Sequence, residues 1–102
     1  MKVAYHAAVQ KDVNRALRRY DKLSGRLGDE FWNELMTHIK VAAANPMRFH
    51  PYLKDLRRAN LKRFPYHFLY RILPDRIRVI AVRHTNKARN SRFSADKPRS
   101  TG

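Results

Sequence analysis

Four cations fall within seven residues at Arg57, Arg58, Lys62 and Arg63, and an aromatic run begins where they end, at Phe64-Pro65-Tyr66. Guanidinium and ammonium groups at this density bind oxyanions, because each charge-assisted hydrogen bond is about twice as strong as a neutral one. Keeping them together without an anionic partner costs self-repulsion. Arg71, Arg83 and Arg89 extend the cationic series toward the C-terminus. Two histidines lie close to it, His67 and His84. Imidazole titrates near neutrality and could move a proton beside a bound anion. The other three, His6, His38 and His50, are scattered. No histidine spacing matches a zinc site, and there is no cysteine to provide a thiolate nucleophile, a disulfide or a sulfur ligand. The residues therefore suggest anion binding, without a metal or other cofactor.

The cations need a scaffold, and the aromatic run supplies one. Phe64, Tyr66, Phe68, Tyr70 and Ile72 recur at every second position, the period of a strand with one face in a core. His67, Leu69 and Arg71 fall on the other face, which reads as an exposed cationic platform. On that reading His67 is more simply a surface or structural residue than a base. His84, after the last strand, is more simply a hydrogen-bonding residue. Pro74-Asp75 marks a tight turn, and Arg76 to Arg83 alternates again. Ile77, Val79 and Ala81 are expected on one side, Ile80 and Val82 on the other. A third strand is expected from Leu53 to about Leu61, and residues 46–53 read as irregular.

Upstream the period is helical. Val9, Val13, Ala16, Leu17 and Tyr20 form one stripe, with Asp12, Arg15, Arg18 and Arg19 opposite. Ser24-Gly25 reads as its stop. A second helix is expected from about Gly28-Asp29-Glu30, with acids in its first turn facing the helix dipole. Phe31, Trp32, Leu35, Met36, Ile39, Ala42 and Ala43 form its stripe, and Asn45-Pro46 ends it. Trp32 reads as core or as part of a binding groove. Residues 2–5 are a short strand candidate. The predicted fold is α+β: an N-terminal strand, then an antiparallel helical hairpin packed on a small, mostly antiparallel sheet that ends in a three-strand meander. One domain over residues 1–93 and a flexible basic tail over 94–102 are expected.

Charge divides the chain. The formal net charge is +15 over 102 residues. Residues 1–46 hold eight Lys/Arg against five Asp/Glu, and residues 47–102 hold fifteen against three. The second half is thus the half expected to meet a nucleic acid or an acidic protein. No apolar run reaches the ~18 residues of a membrane span, and no signal-peptide h-region is visible. An intracellular, cytoplasmic protein without membrane partners is the simplest expectation.

In its order of elements and motif residues the chain resembles the RelE/ParE superfamily of bacterial toxins of type II toxin–antitoxin systems. The resemblance rests on Leu56-Arg57-Arg58, on Arg63-Phe64-Pro65-Tyr66-His67-Phe68-Leu69-Tyr70-Arg71, and on Ile77-Arg78-Val79-Ile80-Ala81-Val82-Arg83-His84. Phe31-Trp32-Asn33-Glu34-Leu35 and Asn45-Pro46 fit it too, and it spans roughly residues 2–93. It implies one of two activities, mRNA cleavage at the ribosome or poisoning of DNA gyrase. It also implies a cognate antitoxin with an acidic segment that neutralises the toxin.

Metal-free RNA cleavage needs a base for the 2′-hydroxyl, an acid for the leaving oxygen and cations for the phosphorane-like charge. By the resemblance, the candidate set would be Arg58, Arg63, His67, His84 and Lys87. The match to nuclease members is poor. Asn60 and His67 stand where those members carry cations, Lys87 stands where an arginine is usual, and Phe93 lacks the hydroxyl of a tyrosine. The resemblance thus favours the ParE-like, gyrase-directed branch. Arg57, Arg58, Lys62, Arg63, Arg71, Arg83 and Arg89 are the residues expected to bind the anionic antitoxin. A basic nucleic-acid-binding protein without catalysis is the remaining alternative.

Overall fold

The computed structural model describes residues 1–85. The predicted domain end at 93, the tail over 94–102, and Lys87, Arg89 and Phe93 lie outside the described residues. The elements are β1 (Lys2–Tyr5), α1 (Ala8–Asp21), α2 (Gly25–Ala44), β2 (His50–Pro51), β3 (Leu56–Asn60), β4 (Tyr66–Ile72) and β5 (Arg76–His84). The strands form one sheet in the order β1-β5-β4-β3-β2. Strands β2 to β5 pair antiparallel, while β1 lies parallel to β5 with Lys2 opposite Arg76 and Tyr5 opposite Val79. This is the predicted α+β fold.

Three local expectations are corrected. Ser24 does not stop the first helix but starts the second. Its backbone is extended and its hydroxyl accepts the Arg26 N–H at 3.1 Å, an N-cap. Helix α2 therefore begins at Gly25, and Asp29 and Glu30 sit beyond its first turn. Only Lys22–Ser24 separate the two helices, so the hairpin is tight. At Gly28 a Cβ would lie 1.9 Å from the Asp21 Oδ1, so a side chain there would drive Asp21 away. The second correction is β2, a two-residue strand inside the segment expected to be irregular, paired as His50–Arg58 and Pro51–Arg57. Correspondingly β3 is shorter than expected, because a turn with Lys54 at φ 50° occupies Leu53–Asp55.

The third correction concerns β5. Leu69 pairs with Ala81 but Tyr70 pairs with Val79, so Ile80 is an extra residue, a β-bulge. The bulge reverses the alternation beyond it. Ile77 and Val79 face the helices as expected, but Val82 joins them and Ala81 turns to the opposite face.

The core lies between the helical hairpin and one face of the sheet. Val9, Val13, Ala16 and Tyr20 of α1 and Phe31, Leu35 and Ile39 of α2 pack on Ala59, Tyr66, Phe68, Tyr70, Ile77, Val79 and Val82. Tyr20, Phe31, Phe64 and Tyr66 form an aromatic cluster with ring centroids 4.9–6.0 Å apart, mostly edge to face, the geometry their quadrupoles prefer. The Tyr70 hydroxyl donates to the Pro46 carbonyl at 2.7 Å and so secures the chain where it leaves α2. Beyond β1 the outer edge of β5 is guarded by Asp12, whose carboxylate accepts the Val82 N–H at 3.0 Å.

Candidate functional site

Adjacent residues of a strand point to opposite faces, and this divides the basic cluster. Arg57 lies opposite Tyr70 on the helix-facing side. Its guanidinium donates to the Phe49 carbonyl at 2.6 Å, so it braces the segment that follows α2. Arg58 lies on the open face. Its Nε donates to the Asn60 Oδ1 at 2.9 Å, and its guanidinium sits 5.7 Å from the Tyr52 ring centre. Arg63 is held by Glu30 at 2.8 Å. Its backbone N–H, like that of Lys62, donates to the Glu34 carboxylate. Glu34 of α2 thereby ties down the turn between β3 and β4. Arg71 pairs with Asp55 at 2.7 Å, an arrangement that holds the Asp55 carboxyl below its ordinary pKa. Of the four clustered cations, then, Arg58 and Lys62 are left without a carboxylate partner on the open side among the described residues.

A cavity of about 450 Å³ opens at this end of the hairpin, lined by Arg58, Asn60, Leu61, Lys62, Arg63, Phe64, Pro65 and Thr85. Among the described residues no carboxylate lines it. Thr85 is positioned by its backbone N–H, which donates to the Pro65 carbonyl at 2.8 Å.

His67 departs from expectation. It points away from the helices, between Asn60 and Arg83 on the neighbouring strands, yet it is only 1% exposed. Leu69 and Ala81 on the same face are also buried. The exposed platform of His67, Leu69 and Arg71 read from the alternation therefore fails at His67 and Leu69, and Arg71 is half-buried. The His67 Nδ1 lies 3.2 Å from the Thr85 Oγ1, and its Nε2 is buried without a hydrogen-bond partner among the described residues. Burial, with the Arg58 and Arg83 charges added, lowers its pKa to about 4, so the ring is neutral at neutral pH. His84 is paired with Tyr66 one position along and points the other way, toward the helices, its ring 5.1 Å from that of Tyr66. The two histidines thus face opposite sides of the sheet and cannot serve one substrate as an acid–base pair. Among the described residues no group of three His, Asp or Glu side chains could hold a metal ion.

A second feature went largely unread in the sequence. An apolar groove of about 500 Å³ lies between α1, α2 and the end of β1, lined by Tyr5, His6, Val9, Val13, Trp32, Leu35, Met36 and Ile39 among others. Trp32 is 44% and Tyr5 48% exposed, large aromatics that a small domain seldom leaves in water without use. The signal was the breadth of the second apolar stripe, since Trp32 cannot share the inward face of Phe31 next to it.

Comparison with known proteins agrees with the geometry. Residues 3–89 match the family model described as the ParE toxin of the type II toxin–antitoxin system parDE. A solved structure titled as the chromosomal ParDE TA system from P. aeruginosa superposes with a TM-score of 0.72 at 17% identity, over 82% of this chain and 95% of that one. No curated protein sequence matches significantly. No helix among the described residues is long and apolar enough to cross a membrane. With the family match spanning most of its length, on a fold that a ParDE structure shares, the chain belongs to the ParE toxin family of type II toxin–antitoxin systems.

Proposed function

We propose that the chain is a growth-inhibiting toxin that acts on DNA gyrase in the cytoplasm and is neutralised by a cognate acidic antitoxin. The observation that favours gyrase over ribosome-bound mRNA is the disposition of the histidines. His67 is buried and neutral, and His84 is turned to the opposite face. Cations without a paired acid and base favour docking over strand scission. The test is supercoiling by purified gyrase with increasing toxin, run beside a translating extract probed for mRNA cleavage. Inhibited supercoiling with intact mRNA is expected. Normal supercoiling at saturating toxin removes the gyrase target, and ribosome-dependent cleavage would install the RelE-like alternative.

The antitoxin has two surfaces to use. The groove at Tyr5, Trp32 and Met36 suits an apolar helix face, and the basic residues outside it suit acidic flanks. Removing Trp32, a half-exposed aromatic anchor, should cost the complex affinity by tenfold or more while leaving the fold intact. Equal affinity of Trp32→Ala and the parent chain, read by calorimetry, would remove the groove from the interface.

A further inference from the structure

The geometry points to the cavity at the β3–β4 hairpin end as a binding site for a phosphodiester of a nucleic-acid strand, one that holds the phosphate without cleaving it. Three donors surround it. The first is the Arg58 guanidinium, whose Nε is fixed by Asn60 while its terminal NH2 groups have no carboxylate among the described residues. The second is the Lys62 ammonium, likewise without an ion-pair partner among the described residues. The third is the Thr85 hydroxyl, and here the orphaned nitrogen of His67 is informative. A proton on Nε2 would be a buried donor with nothing to donate to, which is costly. The favoured tautomer carries its proton on Nδ1 and donates it to the Thr85 Oγ1, 3.2 Å away. The hydroxyl hydrogen of Thr85 is then left to donate into the cavity. A fork, a point charge and a hydroxyl lining one cavity suit a tetrahedral oxyanion better than a planar carboxylate.

The surroundings extend the site along a strand. Arg71 and Arg78, opposite one another on β4 and β5, lie farther along the same face, beyond the buried Leu69 and Ala81. A nucleic-acid backbone anchored at the cavity would follow that line, whereas an isolated acidic side chain would use one point of it. Catalysis is absent because the imidazole nearest the phosphate is buried and serves Thr85. The inference does not depend on the cellular target, so a failed gyrase assay leaves it intact.

The experiment is fluorescence anisotropy of the full chain, freed of antitoxin, with a labelled 20-nucleotide single strand, as DNA and as RNA, and with a 20-base-pair duplex. A glutamate-rich peptide and inorganic phosphate serve as competitors. Replacing both Arg58 and Lys62 by Gln should weaken binding roughly tenfold or more and reduce the slope of log affinity against log salt by about 1 to 2. Replacing Arg18 and Arg19 on α1 by Gln removes the same charge and should change affinity less than twofold. Thr85→Val leaves the charge unchanged and should weaken binding by severalfold, with Thr85→Ser restoring it; melting curves confirm that each variant folds. The ranking of single strand against duplex names the source of the phosphodiester, and every labelled strand should be recovered uncut. The inference is overturned if the α1 pair costs as much as the cavity pair, if Thr85→Val binds like the parent, if the glutamate peptide displaces the strand at equal charge concentration, or if the strand is cut.

Discussion

The two faces of one sheet are made by the same three strands and have opposite chemistry. Toward the helices β3, β4 and β5 present Ala59, Tyr66, Phe68, Tyr70, Ile77 and Val79, all buried. Away from them the same strands present Arg58, His67, Arg71, Arg78 and Arg83. The first face is held by area removed from water, about 25 cal/mol per Å² of apolar surface. The second concentrates charge, although His67, Leu69 and Ala81 on it are buried as well. The helix-facing core and the exposed cations are thereby assigned to alternate residues, and a substitution of an exposed cation should leave the core nearly untouched.

That separation can be broken in a graded series. Phe68→Ala, in the helix-facing core, should lose about 3–5 kcal/mol in urea unfolding, the usual cost of truncating a buried aromatic. A loss under 1 kcal/mol would mean that the core tolerates a void there. Among the described residues, His67 is the buried group of the open face that couples charge to stability. Its folded pKa of about 4 lies below its unfolded value, so the neutral ring is the form the fold prefers. Its contribution is fully present above about pH 6.5 and is lost as the pH falls toward 4, roughly 3 kcal/mol in all. His67→Gln should flatten that part of the stability–pH curve relative to the parent. Parallel curves would show that the ring is solvated in solution.

Smaller effects sharpen the same comparison. Glu34→Gln weakens the carboxylate that accepts two backbone N–H groups at the hairpin turn. It should cost about 1–2 kcal/mol in chemical unfolding. It should also loosen amide-exchange protection at Lys62 and Arg63 before other sites; unchanged protection there would remove Glu34 as the tie. Arg78→Gln, on the open face and exposed, should stay within about 0.5 kcal/mol of the parent in thermal melts. A larger loss would make the cationic face part of the folding core.

Much of this division is legible in the sequence because period-two patterning reports which side chains share a face. Phe64, Tyr66, Phe68 and Tyr70 were readable as core on that ground alone. The same rule separates Arg57 from Arg58, although as a run of charges they read as one patch. Other features depend on pairing partners far along the chain. The bulge at Ile80 exists only in the register between β4 and β5, so the side of Val82 could not be read from β5 alone. The burial of His67 depends on neighbours in three dimensions, and its alternation with Arg71 pointed the other way. Ser24 could stop one helix or cap the next, and only its backbone conformation decides. The cavity beside Thr85 joins residues more than twenty positions apart and has no local signature.

The parallel pairing of β1 with β5 carries a consequence for the order of synthesis. Val3 lies beside Ile77 and Tyr5 beside Val79, so β1 has no sheet partner until β5 is available. Closing so long a loop is entropically expensive and slow, and contacts of this separation form late. The helical hairpin, whose contacts are local, can assemble early and wait with Trp32 and Met36 still accessible. The helical wall of the apolar groove would therefore form before the sheet that completes it, which gives a partner the opportunity to engage the hairpin early.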